Sequence, residues 1–305
     1  MPYTKTIFAN LIALVLLTAT AQAGLRVVAT TPDLGALARE IGGDQIELTT
    51  LAKPTEDPHF VDAKPSFIVK LNHADVLVEG GAELELGWLG SLLDGSRNEK
   101  LAAGKPGRIV AAEGIYMLEV PATLDRAQGD VHAAGNPHFM CDPANSRIVA
   151  EHIARVFSAL DPASRPAFAA NLKRFEARLE GKISEWRTLL APNKGTSVVT
   201  YHNYWIYFAR YFDLKMELFL EPKPGIPPTP AHLAEIITRM KDEHLKLILV
   251  QPYQNRKTAE TVASHTGGIV LDFPSFPMTS KETQGYIEWM DFLVKSLVKG
   301  IEQAK

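Results

Sequence analysis

Near the middle of the chain, the stretch RPAFAANLKRFEARLEGKISEWRTLL (Arg165 to Leu190) places Phe168, Leu172, Phe175, Leu179, Ile183 and Trp186 at intervals of three and four. That spacing lines one face of an α-helix. At 1.5 Å per residue the helix would run about 39 Å, longer than a small lobe is wide, and its single apolar stripe has to be covered along that whole length. The stretch is therefore expected to be a stiff spine and not a flexible linker. The pattern is already helical from Ala144, and Asp161-Pro162 marks where one helix ends and the next begins.

Both flanks of the spine follow one grammar. Before it come the strand-like segments LRVVATT, IELTTLA and DVLVEGG, alternating with the helical segments LGALAREIGG, SFIVKLNHA and ELGWLGSLLDGS. After it come TSVVTYH, KMELFL, LKLILVQP and GIVLDF, alternating with WIYFARYF, PAHLAEIITRMKDEH and RKTAETVASHTG, and YIEWMDFLVKSLVKGI closes the chain. Strands alternating with helices predict parallel sheets with helices packed outside. The expected fold class is α/β, with two lobes that each carry a parallel sheet flanked by helices, joined by a long rigid spine helix. The expected boundaries are a signal peptide at 1–23, lobes at 24–160 and 193–305, and the spine at 161–192.

The first 23 residues combine Lys5, an apolar run from Ile7 to Leu17 and the small-residue site Ala21-Gln22-Ala23, the layout of a secretory signal peptide. The apolar run falls short of the roughly 20 residues that span a bilayer. An exported, soluble, periplasmic protein is expected, with no cysteine at the cleavage junction to carry a lipid. The single cysteine, Cys141, allows no internal disulfide, so the chain depends on its own core, and Cys141 is read as a small buried thiol. A net charge of −3 with scattered Lys and Arg leaves no nucleic-acid footprint.

Pro-His-Phe occurs twice, in EDPHF around His59 and in NPHFMCDP around His138. Open α/β sheets bind ligands in loops beyond the carboxyl ends of their strands. His59 follows IELTTLA, His202 ends TSVVTYH, Asp272 ends GIVLDF, and His138 lies in a loop before the helix that Asp142-Pro143 opens. Three imidazoles and one carboxylate make a donor set suited to a four-coordinate divalent metal. In this reading proline stiffens the backbone before each histidine and phenylalanine supplies a dry wall beside it. His132, in the polar run with Asp130, is either an accessory ligand or merely solvated.

These segments, together with LNHADVLVEGGAELE, VVTYHNYWIYFARYFDL and PTPAHLAEIITRMKDEHLKLILVQP, resemble the periplasmic solute-binding proteins of zinc and manganese ABC transporters, also called the adhesin-B-like family, over nearly the whole mature chain. The resemblance implies a receptor that captures a metal between two lobes and hands it to a membrane permease. It places the first family ligand on His59, the second on His138 and the third on His202. Members suited to manganese tend to carry glutamate at that third position, so His202 favours zinc. Asp272 is the loose match for the fourth ligand, with Glu56 or a water in reserve. The histidine-rich loop of many zinc receptors is reduced here to GDVHAAGNPH.

The implied partners are the permease and a divalent metal ion. A periplasmic metallochaperone is left open as a third, and a monomer is expected. Two rivals accompany this reading. One is a receptor of the same architecture for manganese or another divalent metal. The other is a three-histidine zinc hydrolase, for which the sequence offers no HExxH, no GxSxG and no general base beyond Glu56.

Overall fold

The computed structural model describes residues 24–305 apart from 124–128, 130 and 131, so the signal peptide expected at 1–23 and Asp130 lie outside it. Its strands β1 (Leu25–Ala29), β2 (Ile46–Thr50), β3 (Val76–Glu79) and β4 (Arg108–Val110) form one parallel sheet in the order β2-β1-β3-β4. A second parallel sheet has the order β6-β5-β7-β8, from β5 (Ser197–Thr200), β6 (Lys215–Phe219), β7 (Leu247–Val250) and β8 (Ile269–Asp272). The α/β class with two helix-flanked parallel sheets is as expected. In each sheet the connection reverses direction beside the first strand, at β1 and at β5, and such switch points open a crevice past the carboxyl ends.

Two details differ from the sequence reading. The sequence reading assigned no element to β4, whose three residues carry no periodicity; the strand pairs with β3, and Arg108 reaches the buried carboxylate of Glu79 on β3 at 2.8 and 3.0 Å. The helix expected from Glu85 starts only at Leu89, as α3 (Leu89–Ser96), and Ala82 to Trp88 form a run of turns instead. The other helices are α1 (Pro32–Gly42), α2 (Pro65–His73), α4 (Pro143–Leu160), α5 (Arg165–Leu190), α6 (Ile206–Tyr211), α7 (Pro230–Asp242), α8 (Arg256–Thr266) and α9 (Tyr286–Ala304).

The spine is α5. Five of its stripe residues, Phe168, Phe175, Leu179, Ile183 and Trp186, are buried, and Leu172 is partly covered. The helix packs on α1 and α4 of the first lobe and on α9. Arg178 grips Glu40 of α1 and Glu288 of α9, while Lys182 and the indole N–H of Trp186 both reach Asp291 of α9 at 2.9 and 3.0 Å. Exposed ion pairs of this kind contribute little each, so the holding force is burial. One continuous apolar core runs from Val27 and Val78 through the spine to Leu249 and Leu297, joining both sheets. Among the described residues no helix is long and apolar enough to cross a membrane.

Trp186→Ala removes one of three tryptophans from this shared core and is expected to lower unfolding stability by about 3–5 kcal/mol. Calorimetry should show one cooperative transition moving down in temperature. A split into two transitions would mean that the lobes are held separately.

Candidate metal centre

The repeated Pro-His is part of a longer repeat, Asx-Pro-His. Asp57 Oδ1 accepts the backbone N–H of His59 at 3.0 Å, and Asn136 Oδ1 accepts that of His138 at 3.0 Å. The middle residue of each turn is a proline with its φ already set, so each histidine is presented by a prefolded elbow whose side-chain acceptor lies two residues upstream. The two phenylalanines then part company. Phe139 is fully buried, whereas Phe60 is 67% exposed, so Phe60 is not the dry wall expected of it. That role falls to Tyr204, whose ring stacks on His138 with centroids 4.0 Å apart.

His202 follows β5 at the switch point of the second sheet. Its carbonyl takes the hydroxyl of Thr200 at 2.9 Å and the N–H of Tyr204 at 2.8 Å, which fixes the backbone that carries the ring. The His138 elbow is fastened to the same lobe: Asn136 donates to Asn203 O at 2.9 Å, and Tyr207 donates to Asn136 O at 2.8 Å. His59, His138 and His202 therefore meet across the crevice, with ring centroids 5.1, 5.4 and 6.0 Å apart.

A fourth imidazole joins them. His132 lies with its centroid 5.2 Å from that of His59, and their Nε2 atoms are 3.3 Å apart, matching the 3.3 Å between the Nε2 atoms of His138 and His202. A tetrahedral metal with nitrogen ligands near 2.0–2.1 Å has N···N edges of roughly 3.3 Å, so each pair already spans one edge. Among the described residues no three or more His, Cys, Asp or Glu side chains are yet closed round a single ion-sized point. The four rings stand as two nitrogen pairs, His59 with His132 and His138 with His202.

The electrostatics suit a cation. His59 Nδ1 sits 2.8 Å from Asp57 Oδ1, and His202 Nδ1 sits 2.7 Å from Glu221 Oε2. Each carboxylate draws the ring proton to Nδ1 and leaves the Nε2 lone pair facing the cluster. Burial pushes the Asp57 carboxyl up, but hydrogen bonds and charge from His59 outweigh it and hold the group below its ordinary value. Burial and the neighbouring imidazoles His59 and His202 lower His132 to about 4, and burial with three imidazole neighbours lowers His138 well below the usual range. Those two rings stay neutral and able to donate to a metal at neutral pH. A cavity of about 190 Å³ leads to His132, His138 and His202 past Glu119 and Asn203. A roomier groove near the end of α5, lined by Arg187, Lys194 and Asp213, holds no such cluster.

The structure does not bring Asp272 to the site. Strand alternation turns Phe273 into the core and Asp272 outward, where its side chain is 77% exposed and pairs with Arg256. Glu56 is likewise engaged elsewhere, accepting from the backbone N–H and the ammonium of Lys53. His132 stands where a fourth ligand was sought, and its polar, glycine-flanked surroundings gave only a weak sign of it. Asp57 and Glu221 were also missed, although Asp57 is the acidic member of DPH and Glu221 follows β6 at a strand end. Cys141 is buried in the core, where burial raises its thiol.

A family model described as zinc-uptake complex component A, periplasmic (ZnuA), matches residues 27–300. The chain belongs to the ZnuA family. As such it is a substrate-binding receptor of a metal ABC transporter, extracytoplasmic and working with a membrane permease, and not an enzyme. The iron ABC transporter substrate-binding lipoprotein MtsA of Streptococcus pyogenes is 25% identical over 249 residues, covering 80% of this chain and 77% of MtsA. The manganese ABC transporter substrate-binding lipoprotein PsaA of Streptococcus mitis is 22% identical over 285 residues, covering 91% and 89%. Among solved structures, a crystal structure of ZnuA superposes with a TM-score of 0.78 at 24% identity, covering 91% of this chain and 99% of that one. A manganese-bound periplasmic metal-binding protein from Candidatus Liberibacter asiaticus gives 0.73 at 22% identity, covering 90% and 98%.

In this ZnuA-family chain the His59 loop rests on the turns that follow β3, where the indole N–H of Trp88 donates to Pro58 O at 2.9 Å. Those turns are anchored by a buried carboxyl, Glu85, which accepts from Thr30 Oγ1 at 2.6 Å and from the N–H groups of Gly80 and Gly81 at 2.7 and 3.2 Å. Burial raises Glu85 to about 7 in spite of those donors. The folded state therefore binds this proton more tightly than the unfolded chain, so the contribution of Glu85 to stability is full below about pH 4.5 and is lost as pH rises to about 7. Denaturant titrations across that range should show that the stability difference between wild type and Glu85→Gln shifts against wild type as pH rises from about 4.5 to about 7. An equal slope in both would place the titration elsewhere.

Proposed function

We propose that the cargo of this receptor is zinc, held in the periplasm by His59, His132, His138 and His202 and released to the permease. The observation that carries the reading is the convergence of four imidazoles with no carboxylate among them. Manganese, a hard ion, prefers carboxylate, carbonyl and water oxygens, whereas imidazole suits zinc. The relatives bear the names of different metals, so likeness to them does not choose one. The donor chemistry supports zinc. A four-coordinate shell filled by protein atoms leaves no open position for a reacting water, which suits carriage.

Asp57 and Glu221, one from each lobe, stand behind His59 and His202. Their two negative charges offset the dication that four neutral imidazoles cannot neutralise. Because one core joins the lobes through α5, capture and release proceed by movement of the ligand loops and not by wide opening of a hinge. The leader at 1–23 supports export to the periplasm, and the receptor acts there as a monomer. A metallochaperone would act upstream of this site.

Metal analysis of the purified mature protein, after chelation and reloading with equimolar zinc and manganese, tests this. Wild type should retain one zinc and no manganese. His59→Ala, His138→Ala and His202→Ala should each lose most of it, and Asp272→Ala should match wild type. Stoichiometric manganese, or zinc that survives loss of these histidines, would overturn the assignment.

A further inference from the structure

The turns after β3 contain an unusual run. Gly81, Ala82 and Glu83 all have left-handed backbone, with φ of 73°, 50° and 65°. Glycine adopts this conformation freely, but two successive residues with side chains do not, and such conformations persist only where the surroundings enforce them. Here the enforcement is visible. Glu85 pins the N–H groups of Gly80 and Gly81 from below, and Leu84 N–H closes back on Gly81 O at 3.1 Å. The result is that Glu83, half-buried at the rim of the crevice, accepts the backbone N–H of Ala133 on Oε2 at 2.5 Å.

Ala133 directly follows His132. The same run of turns reaches the His59 loop through Trp88 and Pro58 O, so one short piece of the first lobe touches both loops whose Nε2 atoms lie 3.3 Å apart. His138 is seated differently, by Asn203 and Tyr207 of the second lobe. His132 lacks an Asx-Pro elbow of its own, and the Glu83 bond takes its place.

Resting on the zinc reading above, we propose that Glu83 is a positioning residue for the metal site: through the Ala133 N–H it holds His132 over His59 and so sets the fourth corner of the shell. It touches no metal and supplies no donor atom to it. Its effect is on whether the ion is held by four nitrogens or by three and a water.

The test uses the full mature chain loaded with cobalt(II) as a spectroscopic probe, followed by zinc release to a competing chelator. Glu83→Ala is expected to reproduce the visible absorption of cobalt-loaded His132→Ala and to release zinc about tenfold faster than wild type, a typical loss for an outer-sphere partner. Its metal-free melting temperature should stay unchanged. Glu83→Gln, which keeps an acceptor oxygen, should restore both signals, and Ala133→Pro, which removes the donor, should match Glu83→Ala. The double variant Glu83→Ala with His132→Ala should be no worse than His132→Ala alone.

Wild-type absorption and release in Glu83→Ala, or additive losses in the double variant, would overturn the proposal. Failure of the zinc reading would look different, because cobalt and zinc would then survive His138→Ala and His202→Ala whatever stands at position 83.

Discussion

The burial of one apolar stripe along α5 is the constraint on which the rest depends. The two sheets are separate in hydrogen bonding, so nothing in their ladders fixes one against the other. What fixes them is a helix long enough to be covered by α1 and α4 of the first lobe and by α9, with Trp186 and Phe175 inside a core shared by both sheets. Once the lobes are fixed, the two crevices past β1 and β5 face a common space. Histidines distant in sequence can then approach within a few ångströms.

Within that frame the site is made by local devices of low cost. Two Asx-Pro-His elbows prefold the backbone of His59 and His138, and the switch-point strand β5 delivers His202. Two carboxylates, Asp57 and Glu221, orient two of the rings and supply negative charge one layer out. A chain that places its carboxylates behind the imidazoles and not among them presents a nitrogen surface to a cation while offsetting its charge. Relatives named for iron and for manganese match most of this chain, so the scaffold is shared among receptors that bear the names of different metals.

The class of fold and three of the four clustered histidines were legible from the sequence, because strand-helix alternation, the spine periodicity and the DPH and NPH segments are local patterns. Strand β4 was not legible, since a three-residue strand earns its place from the Glu79–Arg108 pair across the sheet. Asp272 misled for the opposite reason. A strand-end aspartate satisfies the rule for ligand loops, but the rule does not say to which side the last residue points, and alternation turned this one to solvent beside Arg256. His132 was weighed only as an accessory, because a histidine in a polar loop has no periodicity and no flanking elbow to mark it.

What the sequence by itself determined about this protein is what short-range physics encodes: which segments are helices and strands, where proline and an Asx side chain prefold a turn, and that imidazole and not carboxylate follows β5. What only the tertiary structure decided is the company each side chain keeps. The approach of His132 to His59, the stacking of Tyr204 on His138 and the placing of Glu221 behind His202 join residues well apart in the chain. The physical reason is that such contacts form only once the sheets and the core they share have brought distant loops together, and no short window of the sequence contains that information.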